Sequence, residues 1–149
     1  KTTGLRFFTV YGPYGRPDMA LFKFTKAIVE NKKLELYNQG KHVRDFTYID
    51  DVVDAIIKIL IPPVKYPITP DSFYIASGKP EKLSLFLNKI EQFLNKRSKS
   101  ILKKFQMGDV YKTHASIGKL QKKINFNPKF NISLGIRKFV NWYKNYFNQ

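Results

Sequence analysis

The stretch from Gly4 to Asp18 limits the possible folds of this chain more than any other. Its first half, Leu5–Tyr11, is an apolar, aromatic and β-branched run with one charge, which is typical of a strand buried on both faces of a parallel sheet. Its second half, Gly12–Asp18, holds two glycines and two prolines and cannot continue a strand. In open α/β sheets, ligands bind just outside the carboxyl ends of the strands. The stretch therefore predicts a core strand followed by a binding loop.

The composition indicates one folded domain and excludes several classes of protein. A chain of 149 residues with 43% apolar and 15% aromatic residues can bury a real core. It has no cysteine, so a disulfide framework and a thiolate metal site are excluded, and its two histidines are too far apart in sequence to suggest zinc. No apolar run approaches the roughly 20 residues that cross a bilayer. We expect a soluble, cytoplasmic protein that binds neither a metal nor a membrane.

The net charge of +16 allows two interpretations. One is a module that binds nucleic acid or another polyanion. The other, which we favour, is a Lys-rich surface that keeps the protein soluble and helps to capture anionic nucleotides. The basic residues are spread along the chain, and the short cluster 96–104 contains no glycine or aromatic residue. We therefore predict that nucleic acid is not a partner, with a basic nucleic-acid-binding module as the alternative.

Hydrophobic periodicity and turn residues predict further elements along the chain. The predicted strands are Leu34–Tyr37, Val43–Ile49 and Phe73–Ala76, and the segment 61–71, which contains four prolines, is predicted to be a loop. Predicted helices are Met19–Val29 with an Asp18 cap, a helix capped by Asp50, a helix from Leu83 to Leu94, a short one near 116–123, and a last one from a Ser133 cap to Phe147. The helix after Asp50 is expected to turn Val53, Ile56, Ile57 and Leu60 inward. Asp50 and Asp51 are expected to be structural, since acidic residues suit a helix N-terminus.

Two ordered motifs carry a resemblance to a known family. The chain reads RFFTVYGPYGRPDMA over 6–20 and RDFTYIDD over 44–51. These motifs resemble the extended short-chain dehydrogenase/reductase family of NAD-dependent epimerases and dehydratases, and within it the UDP-glucuronate 4-epimerases. The resemblance implies an α/β fold: the C-terminal part of an extended Rossmann-type fold, with one terminal core strand and a small α/β substrate-binding subdomain.

The same resemblance implies a division of labour within a longer enzyme. The chain enters a core strand almost at once, so we expect the N-terminal dinucleotide-binding part, which would hold most of the NAD, to be absent from residues 1–149. The complete enzyme is expected to oxidise C4 of a UDP-sugar with NAD, rotate the 4-keto sugar and return the hydride to the other face. A dehydratase or decarboxylase of the same family stays open as an alternative, and a homodimer is an option for the complete enzyme.

Five residues are candidates for UDP-sugar binding, and a sixth for the cofactor. Arg44 offers a planar cationic fork that suits a diphosphate, with Asp45 as a neighbour that could orient it. By resemblance, Tyr37 lies on the uracil ring and Asp109, in QMGD, contacts the ribose hydroxyls. The resemblance also puts Thr9 near the hexose. Arg16, in the loop after the strand, could meet a phosphate or carboxylate of the substrate. Phe7 matches a position near the nicotinamide.

Two familiar spellings are rejected as catalytic or cofactor motifs. Tyr37 to Lys41 spells Tyr-x-x-x-Lys, but that pair works only on a helix and Gly40 interrupts it. Gly12 to Gly15 is not half of a dinucleotide fingerprint, because no helix starts at the right place and a proline removes one donor. We therefore predict no catalytic residue in this chain and no activity of the chain alone.

Overall fold

The structure is a computed structural model that describes residues 2–61 and 71–148. Within these ranges the strands are β1 (Thr3–Phe7), β2 (Thr9–Tyr11), β3 (Lys33–Leu36), β4 (Val43–Arg44), β5 (Phe46–Tyr48), β6 (Asp71–Ile75), β7 (Glu81–Lys82) and β8 (Lys99–Leu102). The helices are α1 (Ala20–Val29), α2 (Ile49–Leu60), α3 (Leu83–Leu94), α4 (Gly118–Ile124) and α5 (Ile132–Tyr146), with a 3-10 turn at Tyr37–Gly40. The predicted α/β class is confirmed.

The strands pair two by two, and three of the four pairs are parallel. β1 pairs with β6, β2 with β5 and β3 with β8 in parallel, whereas β4 and β7 are antiparallel. The prediction of one terminal core strand over Leu5–Tyr11 is wrong, because the run divides at Phe8 into β1 and β2. Each half has its own partner strand. β1 is not buried on both faces, since Phe7 is 49% exposed.

The second long strand prediction, Val43–Ile49, divides in the same way. β4 and β5 are separated by Asp45, whose side chain is fully buried and bonded to a different part of the chain. A carboxylate that needs several donors pulls the backbone out of the regular ladder at this point. The residues on either side therefore join different partners, β7 and β2.

The core lies in two clusters of buried side chains. The larger cluster brings the apolar faces of α1, α3 and α5 against β2, β3 and β5. The smaller cluster joins α2, α4 and β6. The amphipathic pattern predicted for α3 is confirmed, with four of its apolar residues buried: Phe86, Leu87, Ile90 and Leu94. The aromatic residues Phe46 and Phe86 stack at 4.2 Å between ring centroids at the centre of the larger cluster.

The inward face of α2 differs from the prediction. The buried residues are Asp51, Val52 and Ala55. Val53, Ile57 and Leu60 were expected to point inward but are 44%, 49% and 72% exposed. Helix α2 has apolar residues on two adjacent faces, and the periodicity alone does not decide which of them packs against the rest of the chain.

Three predicted helix caps are also wrong. The residue before α1 is Met19, and Asp18 bonds to Arg16 instead. Tyr48 precedes α2, so Asp50 lies within its first turn, although the expectation of a structural acidic residue there agrees with the hydrogen bonds of Asp51. Helix α5 is capped by the Asn131 Oδ1, which accepts the Leu134 N–H at 2.9 Å.

The loop predicted over 61–71 lies, for residues 62–70, outside the described residues. Of the helices in the described part of the chain, none has the length and apolar composition needed to cross a lipid bilayer.

Candidate functional site

Arg44 lies at the end of β4 and is held by the segment that follows β8. Its NH1 donates to the carbonyls of Val43 and Tyr111, both at 3.1 Å, and its NH2 donates to the Asp109 Oδ1 at 2.8 Å. The side chain is 18% exposed, so part of the guanidinium still reaches solvent. The structure thus brings together two of the residues selected from the sequence, Arg44 and Asp109.

The predicted orientation of Arg44 by Asp45 is wrong. The two Asp45 oxygens accept from the Ser77 N–H and hydroxyl, the Gly78 N–H and the Ala115 N–H, at 2.7 to 3.3 Å. Asp45 is completely buried. Its carboxylate therefore joins three distant parts of the chain behind the site, and Asp109 takes the place beside Arg44.

Two segments run side by side and present these groups on one surface. The Asn38 and Gln39 N–H groups donate to the carbonyls of Lys104 and Lys103. Further along, the Val43 N–H donates to the Tyr111 carbonyl. Segment 36–44 is thereby bonded to segment 102–113 along its length. Tyr37 and Arg44 lie on the first segment and Asp109 on the second, so backbone hydrogen bonds connect the segments that carry all three residues.

Tyr37 is partly open to solvent, with 37% of the residue exposed. Its hydroxyl donates to the Glu35 Oε2 at 2.9 Å, and the Glu35 Oε1 also lies 3.1 Å from the Lys103 Nζ. The hydrogen bond to the Glu35 carboxylate raises the pKa of Tyr37. A base of the Tyr-Lys type needs a lowered pKa. Asn38 and Gln39 also have positive φ values, so Tyr37 and Lys41 are not on one α-helix, in agreement with the rejection of this pair.

Thr9 and Arg16 lie apart from the Arg44–Asp109 pair and line a small cavity of about 30 Å³ beside β2 and α1. Arg16 is exposed and its Nε donates to the Asp18 Oδ1 at 3.0 Å. This hydrogen bond lowers the pKa of the Asp18 carboxyl. Arg16 is therefore paired with Asp18 within its own loop, and its charge is partly neutralised there.

The described residues do not form a cradle for the pyrophosphate of a dinucleotide. A Cβ on Gly12 would lie 2.5 Å from the Ile49 Cγ2, so this glycine allows close packing against α2 rather than close approach of a ligand. Phe7, predicted near the nicotinamide, is half exposed on β1 with no described partner strand on its other side. The described residues therefore do not fit the main binding site for NAD.

Two residues of this surface have no distinctive signal in the sequence. His42 is buried with its Nε2 3.1 Å from the Asp109 Oδ2, and Glu35 holds the Tyr37 hydroxyl. A lone histidine and a glutamate in an alternating strand are common everywhere. The only sequence signal for the Glu35–Tyr37 contact is their spacing, because residues two apart on a strand lie on the same face.

Comparison with known proteins gives a family and several relatives. Residues 1–68 match the model of the NAD dependent epimerase/dehydratase family. An uncharacterised protein of Methanocaldococcus jannaschii is 47% identical over 143 residues, which are 96% of this chain and 43% of that protein. A probable UDP-glucuronate 4-epimerase of Rhizobium meliloti is 37% identical over 157 residues, covering 95% of this chain and 46% of that protein. The chain therefore spans less than half the length of these relatives.

A solved structure has the same fold. The UDP-glucuronic acid 4-epimerase of Bacillus cereus, in complex with UDP-glucuronic acid and NAD, matches with a TM-score of 0.88 and 30% identity. The match covers 95% of this chain and 45% of that structure. NAD is the cofactor of these enzymes. Residues 1–68 thus match the NAD dependent epimerase/dehydratase family, and the chain is similar along nearly its whole length to UDP-glucuronate 4-epimerases.

Proposed function

We propose that this chain is the UDP-sugar-binding portion of an NAD-dependent UDP-sugar 4-epimerase, with UDP-glucuronate as the favoured substrate. The observation that carries the proposal is the 2.8 Å contact between the Arg44 NH2 and the Asp109 Oδ1. It sets a planar cation next to a hydrogen-bond acceptor on one surface. A nucleoside diphosphate needs this combination, because its phosphates are anionic and its ribose hydroxyls are donors.

Each residue then has a defined role. Arg44 binds the diphosphate, Asp109 accepts from the ribose, and the exposed ring of Tyr37 stacks on the uracil. Thr9 and Arg16 lie near each other beside β2, and a hydroxyl and a guanidinium suit contacts with the sugar or its carboxylate. None of these groups changes protonation in the reaction, so their contribution is binding and orientation while the cofactor carries out the chemistry.

The remainder of the complete enzyme would pack against apolar surface that this chain leaves uncovered. β1 has one described partner strand, β6, and Phe7 is half exposed at its end. Val53, Ile57 and Leu60 form an exposed apolar face on α2. Burial of such surface is favourable by about 25 cal/mol per Å². We propose that the dinucleotide-binding half, with the catalytic tyrosine, covers this surface and that the isolated chain forms no UDP-galacturonate from UDP-glucuronate and NAD.

The proposal is tested by calorimetric titration of the purified chain with UDP and UDP-glucuronate. A charge-assisted hydrogen bond contributes roughly 1.5–3 kcal/mol to binding. Its loss in Arg44→Ala should therefore weaken UDP binding about ten- to a hundredfold. Arg44→Lys should recover part of the affinity, since an ammonium cannot make a bidentate contact. Arg137→Ala is the matched control, because it removes one exposed positive charge from α5.

The outcomes separate nucleotide-sugar binding from polyanion binding. UDP binding that falls in Arg44→Ala and not in Arg137→Ala supports the proposal. If duplex DNA raises the melting temperature and UDP does not, the chain is a nucleic-acid-binding module instead. Equal UDP affinity in Arg44→Ala and the parent would show that Arg44 is a surface residue and that the site lies elsewhere.

A further inference from the structure

His42 is buried directly behind the Arg44–Asp109 pair. It lies between the turn at Tyr37–Gly40 and β4, and it is 2% exposed. Its backbone carbonyl accepts the Leu83 N–H at 2.8 Å, which fixes the residue to the start of α3. The imidazole packs at 5.5 Å between centroids against Phe105, a residue of segment 102–113. The position of the ring is therefore set by both sides of the site.

The imidazole directs one nitrogen at Asp109. The Nε2 is buried and lies 3.1 Å from the Asp109 Oδ2 without completing a hydrogen bond, and it has no other partner among the described residues. An ionised carboxylate can only accept, so the nitrogen that faces it must carry the proton. A buried donor without an acceptor is unfavourable, and a small rotation of either group would complete the bond.

The other oxygen of Asp109 is already engaged. Its Oδ1 accepts from the Arg44 NH2 and from the Val110 N–H, both at 2.8 Å. Both lone pairs of Oδ1 are thus used, and a completed hydrogen bond from His42 would use one of the two on Oδ2. One lone pair on Oδ2 remains available to a ligand, since the carboxylate is 38% exposed.

We propose that His42 is a positioning residue, whose Nε2–H fixes the Asp109 carboxylate so that its remaining lone pair accepts from a ribose hydroxyl of the nucleotide. The inference rests on the proposed binding of UDP-sugars. Arg44 and the Val110 N–H hold only Oδ1, which leaves Oδ2 free to change its direction. Contacts to both oxygens remove that freedom and its entropic cost on binding.

The test compares two nucleotides in variants of His42, using the whole chain. His42→Leu removes the donor at similar apolar volume, and His42→Gln keeps an N–H donor in this position. Calorimetry with UDP and with 2′,3′-dideoxy-UDP separates the ribose contact from every other contact. His42→Leu should weaken UDP about three- to tenfold and leave the dideoxy analogue within twofold, while His42→Gln restores most of the UDP affinity.

Three results would overturn the inference, and each has a distinct meaning. If His42→Leu weakens UDP and the dideoxy analogue equally, His42 acts only through packing against Phe105. Unchanged UDP affinity in His42→Leu would show that the contact does not matter for binding. Absence of UDP binding in the parent chain would refute the proposed function, and the inference with it. His42→Met, whose flexible side chain adapts to irregular spaces, replaces His42→Leu if thermal melting shows that the latter does not fold.

Discussion

Replacing Asp45 by asparagine should be among the most destabilising conservative changes in this chain. The carboxylate is completely buried, and its two oxygens accept four hydrogen bonds, from Ser77, Gly78 and Ala115. An asparagine side chain turns one acceptor into a donor. Whichever oxygen is replaced, two partly or fully buried donors lose their acceptor and face an NH2 group.

The cost follows from these contacts. Hydrogen bonds to a charged group contribute roughly 1.5–3 kcal/mol each, so two lost bonds correspond to about 3–6 kcal/mol. A domain of this size is stable by about 5–15 kcal/mol, so Asp45→Asn removes a large part of the total. Asp50→Asn is the matched control: the same change at an exposed position in the first turn of α2 should cost about 0.3–1 kcal/mol.

The assay is urea unfolding followed by circular dichroism, with the free energy of unfolding compared at equal m-value. Asp45→Asn should lower the transition midpoint far more than Asp50→Asn. If the two variants lie within about 1 kcal/mol of each other, the four contacts do not hold the chain together as argued. The division between β4 and β5 would then need another cause.

Three other changes test separate parts of the structure. Gly135→Ala should lower the melting temperature despite better helix propensity, because the new Cβ would clash with the ring and hydroxyl of buried Tyr11. Burial opposes the charge of Glu91, but hydrogen bonds from Ser98 prevail and lower its pKa. Its stabilisation is therefore complete above the ordinary pKa and lost as pH falls through the lowered one, so Glu91→Gln should destabilise the chain at pH 7 and much less in acid urea titrations. Tyr37→Ala should weaken UDP binding about tenfold in calorimetry while Tyr37→Phe binds normally, because stacking needs the ring alone.

The class of the fold was predictable because two ordered motifs resemble a family of known fold, whereas the divisions within strands were not. The run Leu5–Tyr11 is continuous in sequence pattern, and only its partners, β6 and β5, divide it. Those partners lie far along the chain. The division at Asp45 has the same origin, since its donors come from residues 77, 78 and 115. Local propensity does not report such long-range contacts.

The exposed face of α2 shows a different limit. Its sequence DVVDAIIKIL has apolar residues on two adjacent faces, and both satisfy the helical period. One face is buried against the smaller core cluster and the other is exposed. The choice between the faces depends on what packs against the helix, which the pattern does not contain.

The sequence predicted which residues belong to the candidate site better than it predicted their contacts. The proximity of Arg44 and Asp109 is a result of the structure, since the motifs gave the two residues separately. The partner of Arg44 was predicted to be its neighbour in sequence, but Asp45 turns into the core as β4 ends. His42 was missed because its importance lies in burial and direction, and neither can be read from a single histidine.

A titration of the ¹⁵N-labelled chain with UDP-glucuronate, followed by NMR, tests the central claim most directly. The account predicts that saturable shift changes concentrate in the amides of segments 36–44 and 102–113, with smaller ones in the loop after β2. Arg44→Ala should abolish them at the same ligand concentration, and Arg137→Ala should not. Changes confined to α4 and α5, or no changes at all, would contradict the claim that this surface binds a UDP-sugar.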